Sequence, residues 1–179
     1  MTGVGSVYGE ALYSLAKDEN LSLPILEELT CLEAAFSQDP DFIRLLSSPN
    51  LTKAERCAIL DDSFRGKLQP YVLNFLKILT EKGYMTFFAQ CCKEYRLRYQ
   101  ADHNILSVQA VTAIALSKEQ ADKLSAKLEQ LTGKTIELHN RVDPAVLGGV
   151  RLDYDGKRLE DTLAHRMAAI RELLSSSVL

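Results

Sequence analysis

Residues 100–112 read Gln100-Ala101-Asp102-His103-Asn104-Ile105-Leu106-Ser107-Val108-Gln109-Ala110-Val111-Thr112, and the hydropathy period changes inside this stretch. From Leu106 onward, Leu106, Val108, Ala110 and Thr112 alternate with Ser107, Gln109 and Val111, the two-residue repeat of a half-buried strand. Upstream, from Val4 to Gln100, the pattern is helical throughout. Breaks at Pro24, Pro40, Pro49, Gly66, Pro70 and Gly83 divide it into about six segments. The junction therefore separates a helical half, 1–102, from a mixed half, 103–179. The predicted class is α+β: an N-terminal six-helix bundle followed by a small C-terminal domain with a mixed β-sheet and two helices.

Working back from the junction, the first helix places Val4, Val7, Tyr8, Ala11, Leu12 and Leu15 on one apolar stripe, with Gly5 and Gly9 as a smooth flank. A second helix, 22–38, repeats Ile25, Leu29, Leu32 and Phe36, and a short piece around Phe42–Leu46 follows. Thr52 with Glu55 three residues on predicts a capped helix start, running to about Phe64. Segments 70–82 and 84–100 complete the set, separated by Gly83. In the segment from Leu68 to Leu79, apolar residues span roughly 220° of arc, where a surface helix needs about 100°. That excess fits a central helix enclosed by its own bundle or a groove that accepts an amphipathic helix from another protein.

Working forward, Ser117 with Gln120 opens a helix with Ala121, Leu124, Leu128 and Leu131 inward, stopped at Thr132-Gly133. A second strand puts Ile136, Leu138 and Val142 on one face and His139 and Arg141 on the other. A third alternates Val150, Leu152 and Tyr154 with Arg151 and Asp153. Asp155-Gly156 turns into a short fourth around Arg158-Leu159. A final helix presents Leu163, Met167, Ile170 and Leu174.

The 179 residues carry 46% hydrophobic and 25% charged side chains, an ordinary globular composition. No apolar run reaches the roughly 18 residues of a membrane span. The net charge is −3, and Lys plus Arg number 11 against 14 Asp plus Glu in 1–102 and 10 against 10 in 103–179. Neither half is basic, which argues against nucleic acid. Four cysteines without a Cys-x-x-Cys spacing suit a reduced, cytosolic compartment.

Chemistry is hard to assemble from this chain. His103, His139 and His165 are isolated, with no second ligand at metal spacing. Thr132-Gly133-Lys134-Thr135 imitates the end of a phosphate loop but follows a helix and precedes a strand, the reverse of the required order. Cys91 has no orienting third group to pair with His103. The expectation is no metal, no cofactor and no catalytic residue. Rival readings are a generic helical adaptor and a small hydrolase using Cys91 or Cys92.

The chain resembles the delta subunit of F-type ATP synthase, the oligomycin-sensitivity-conferring protein family, across essentially all its residues. The resemblance rests on five pieces in order. Tyr8-Gly9-Glu10-Ala11-Leu12 is similar to the family's Tyr-x-x-Ala-Leu helix, and residues 75–83 (Phe75 to Gly83) to its fifth-helix signature. Val111-Thr112-Ala113 through Gln120 is similar to its strand-to-helix junction. Thr132-Gly133-Lys134 followed by residues 142–150 (Val142 to Val150) is the most specific piece, and Asp161-Thr162-Leu163 with Arg166-Met167 closes the series. Two departures stand out: Tyr84 where the family usually has Arg, and Gly9 where it usually has alanine.

The resemblance implies a non-catalytic stator connector. Its N-terminal bundle would bind the N-terminal helix of an alpha subunit of the catalytic head through the first and fifth helices. Tyr8, Ala11, Leu12, Phe75, Ile78 and Leu79 are the groove candidates. Its C-terminal domain would engage the peripheral-stalk b subunits, on a bacterial inner membrane's cytoplasmic face. There Asp143, Gly148, Gly149 and Arg166 are candidates for the stalk side or for purely structural roles: a turn at Asp143-Pro144, unusual backbone angles at the glycines, and a local ion pair at Arg166.

Overall fold

The computed structural model describes residues 3–48, 50–146, 148–154 and 156–162. The chain folds as two compact units, Met1–Tyr99 and Gln100–Leu179. The first contains α1 (Val4–Asp18), α2 (Ser22–Gln38), α3 (Pro40–Leu46), α4 (Lys53–Phe64), α5 (Pro70–Lys82), a 3-10 turn (Met85–Phe87) and α6 (Phe88–Asp102), whose last turn crosses the division.

Local chemistry sets the helix ends. Pro24, Pro40 and Pro70 each fall in a first turn, where a missing N–H loses no intrahelical bond. At α4, the Glu55 N–H donates to Thr52 Oγ1 at 3.2 Å and the Thr52 N–H donates back to Glu55 Oε2 at 2.8 Å, satisfying two orphan donors. Gly83 ends α5 in the left-handed region at φ 73°.

One core joins these helices: Leu12, Tyr13 and Ala16 of α1, Ile25, Leu29, Leu32 and Phe36 of α2, Leu46, Leu60, the inner face of α5, and Phe88, Cys91, Cys92 and Tyr95 of α6. Each large apolar side chain removed from water contributes about 1.5–3 kcal/mol before ordering costs. Phe36 gathers Phe42, Phe64 and Phe88 at centroid separations of 5.5, 6.4 and 5.1 Å. The buried Tyr95 donates its hydroxyl to the Ser22 carbonyl at 2.9 Å, so its polar end is not stranded.

The second unit holds β1 (Ile105–Thr112), α7 (Lys118–Thr132), β2 (Thr135–Val142), β3 (Gly149–Tyr154) and β4 (Lys157–Thr162) in the sheet order β2-β1-β3-β4. β1 and β2 are parallel, with Leu106 opposite Ile136, and α7 is the crossover between them. β3 pairs antiparallel with β1 and β4. The sheet is thus mixed. Its inner face places Leu106, Val108 and Ile136 against Leu128 of α7.

Four expectations change. In α1 the core takes Gly5, Gly9, Leu12, Tyr13 and Ala16. Of the predicted stripe, Val7 is 52% and Leu15 39% exposed. The buried face is the small-residue flank, because glycine lets α1 approach α6 closely: a Cβ on Gly9 would lie 2.6 Å from the Cys91 carbonyl oxygen. Leu131 is not inward but 74% exposed, in the last turn of α7 before Gly133, and Val142 at the end of edge strand β2 is 48% exposed. Val111, placed on the outer face, is fully buried. The predicted final helix, with Leu163, Arg166, Met167, Ile170 and Leu174, lies outside the described residues.

Candidate helix-binding groove

Part of the apolar stripe of α1, Tyr8, Ala11, Leu12 and Leu15, lines a cleft with α5. At 100° per residue, Tyr8, Ala11 and Leu15 share one side of α1 and Tyr71, Asn74, Phe75 and Ile78 share one side of α5. Together with Leu12 they line a groove of about 290 Å³. Its floor is Leu12 and Phe75, 5% and 6% exposed, and its rim carries Leu15 and Ile78, 39% and 45% exposed. The excess of apolar arc in α5 is thus divided: Val72, Leu73, Leu76 and Leu79 fill the core while Tyr71 and Ile78 are left to the groove.

Charges frame this groove without entering it. Glu10 accepts an ion pair from Arg98 of α6 at 2.9 Å. Lys77 is drawn to α4 by Asp61 at 2.7 Å. That hydrogen bond, with Arg65 nearby, holds the Asp61 carboxyl below the ordinary carboxylate range. Asn74 and the two tyrosine hydroxyls are the polar groups left in the lining.

Of the six groove candidates from sequence, Tyr8, Ala11, Leu12, Phe75 and Ile78 come together here. Leu79 does not: it is fully buried in the core. Leu15, Tyr71 and Asn74 were missed as site residues. The signal for them was available, since each lies three or four positions from a chosen residue on the same helix.

The C-terminal candidates have local duties. The Asp143 N–H donates to the Thr112 carbonyl at 2.9 Å, and its carboxylate accepts the Ala145 N–H at 3.0 Å, an Asx turn closing on Pro144. Gly148 and Gly149 sit at φ 137° and 85°, angles that exclude a side chain without strain. Arg166 lies outside the described residues.

A larger, open depression of about 590 Å³ crosses the sheet at Ser107, Gln109, Asp153 and Arg158. Arg158 and Arg151 both pair with Asp153, at 3.0 and 3.3 Å, and Lys157 also lines the depression. His139 faces Glu137 at 3.3 Å. Gly133 stands at φ 67° and its N–H donates to the Glu129 carbonyl at 2.8 Å; Thr132-Gly133-Lys134 is a helix cap. Cys91 and Cys92 are 1% exposed, and burial raises both thiols, Cys91 to about 11, the opposite of an activated nucleophile. Among the described residues, no three His, Cys, Asp or Glu converge to hold a metal ion, and no helix is long and apolar enough to cross a membrane.

The family described as ATP synthase delta (OSCP) subunit matches residues 4–174. The ATP synthase subunit delta of Alkaliphilus oremlandii is 34% identical over 172 residues, covering 96% of each chain. That of Lactobacillus gasseri is 31% identical over 172 residues, covering 96% of this chain and 94% of its own. A chain in the structure of the Toxoplasma gondii mitochondrial ATP synthase hexamer superposes with a TM-score of 0.76 at 18% identity, over 96% of this chain and 97% of that one, a likeness of fold. Nothing in these matches favours a generic adaptor. The chain belongs to the ATP synthase delta (OSCP) subunit family, a non-catalytic stator component of the F-type complex.

Proposed function

We propose that the α1–α5 groove grips the amphipathic N-terminal helix of an alpha subunit of the catalytic head, while the second unit engages the peripheral-stalk b subunits. The chain then acts as a peripheral protein on the cytoplasmic face of a bacterial membrane. The observation that carries this reading is the groove itself: a buried floor of Leu12 and Phe75 beneath an exposed apolar rim of Leu15 and Ile78. Apolar side chains that no internal neighbour covers, arranged along a cleft between two helices, suit the i, i+3, i+4, i+7 anchors of a docked helix. Such a contact buries roughly 1,200–2,000 Å² in total, and Tyr8 and Phe75 are its aromatic anchors.

In the second unit, Gly148 and Gly149 admit the close approach of a stalk helix, beyond the backbone angles they already supply. Asp143 contributes by holding the loop that precedes them.

Titrating the full chain with a peptide of the alpha-subunit N-terminal helix tests the groove. Tyr8→Asp and Ile78→Asp each put a charge into apolar surface and are expected to weaken binding about thirtyfold or more, the scale of a hot spot. Helical circular dichroism should be unchanged, because neither residue is fully buried. Equal affinity for both variants and the unsubstituted chain would remove the groove assignment.

A further inference from the structure

Tyr8 meets a second ring outside the groove. Tyr84 stands edge-on to it, with centroids 5.8 Å apart and planes at 66°. Tyr84 in turn stands edge-on to Phe87 at 6.1 Å and 75°. Tyr84 is half-buried and does not line the groove, and the lining residue whose ring it touches is Tyr8.

The backbone of Tyr84 is fixed from both sides. Gly83 turns the chain at φ 73°. The Gly83 N–H donates to the Thr80 carbonyl at 3.2 Å and the Tyr84 N–H to the Leu79 carbonyl at 2.7 Å, the paired bonds that close a helix C-terminus. Beyond it, the Phe87 N–H donates to the Tyr84 carbonyl at 2.9 Å. Tyr84 is thereby a post fixed to the end of α5, while the ring it touches belongs to α1. The two helices are the two walls of the groove.

We infer that Tyr84 is a positioning residue for helix binding: braced on the C-terminal cap of α5, it holds the Tyr8 ring in the orientation that a docked helix meets. The inference rests on the groove reading and deepens it. A ring already ordered in the free chain need not be ordered on binding, so the brace raises affinity without touching the ligand.

The test is a cycle of calorimetric titrations of the full chain with the alpha-subunit helix peptide, each variant also followed by thermal unfolding. Tyr84→Phe keeps the ring and should keep the affinity. Tyr84→Leu should weaken binding about three- to tenfold, the cost of ordering one side chain on binding. Tyr84→Arg, read the same way, serves if the leucine variant folds poorly. In a Tyr8→Leu background, Tyr84→Leu should change the affinity less than about twofold, since the group it positions is gone. An undiminished affinity in Tyr84→Leu would overturn the brace, and so would an equal loss in both backgrounds, which marks an effect on the fold. Ile78→Asp separates the two readings. If it abolishes binding while Tyr84→Leu does not weaken it, the groove stands and the brace falls. If Ile78→Asp has no effect, both fall.

Discussion

Gly9 carries no side chain because α6 occupies the space one would need. An added Cβ would lie 2.6 Å from the Cys91 carbonyl oxygen and 2.8 Å from Glu94 Cβ, and at Gly5 the distance to Gln90 Cβ is 2.5 Å. Two effects compete in Gly9→Ala. Alanine gains up to about 1 kcal/mol of helix propensity, while overlap with a backbone carbonyl is relieved only by moving α1, at about 1–3 kcal/mol. The overlap should win: a net loss of up to about 2 kcal/mol is expected, read as a lower urea midpoint at unchanged slope. A raised midpoint would show that α1 shifts freely. Thiol chemistry makes a second prediction at this scale. Cys31 is exposed, while Cys91 and Cys92 are buried and shifted away from thiolate. Cys57 lies between, its thiol raised by burial and by Glu81. A disulfide reagent should label Cys31 promptly in the native chain and reach Cys91 and Cys92 only on denaturation. Prompt labelling of all of them would contradict the packing.

At the scale of single elements, α4 links stability to pH. Glu55 accepts the Thr52 N–H and hydroxyl, which lowers its carboxyl below the ordinary 4.5. A carboxyl lowered in the folded state stabilises fully above its unfolded pKa, and that contribution is lost as pH falls through the folded value. Glu55→Gln keeps the capping geometry without the charge. The stability difference between it and the unsubstituted chain should be constant near pH 7 and shrink as pH falls below 4.5. A difference that widens on acidification would contradict the cap. Helix starts and stops of this kind are legible in sequence because they depend on neighbours three or four residues apart: Thr52 with Glu55, Ser117 with Gln120, and Gly83. The buried face of α1 is not legible. Hydropathy finds its greasiest stripe, Val4 to Leu15, yet the core takes the glycine side, roughly a third of a turn away, since closeness of approach is invisible to a hydropathy scale. The mismatch is informative: Tyr8, Ala11, Leu12 and Leu15 of that stripe line the groove. For the same reason Leu79, apolar and next to Ile78, belongs to the core. Leu131 follows the inward periodicity of α7 but lies in its last turn, where it is exposed.

For the whole molecule, a stator works by resisting torque, so its contacts must dissociate slowly, and affinity among related complexes is set mainly by that rate. In the arrangement proposed above, with the head held through the first unit and the stalk through the second, each attachment would raise the effective concentration of the other. The family is readable from ordered motifs along the whole chain, whereas the contacts between subunits are not, because they depend on partner surfaces. The most direct measurement is ATP-driven proton pumping in membrane vesicles stripped of this chain and then resupplied. Without the chain, pumping should be lost while ATP hydrolysis by the soluble head persists. The unsubstituted chain should restore pumping and Ile78→Asp should not. Vesicles that pump at full rate without the chain would contradict its role as the link between head and stalk.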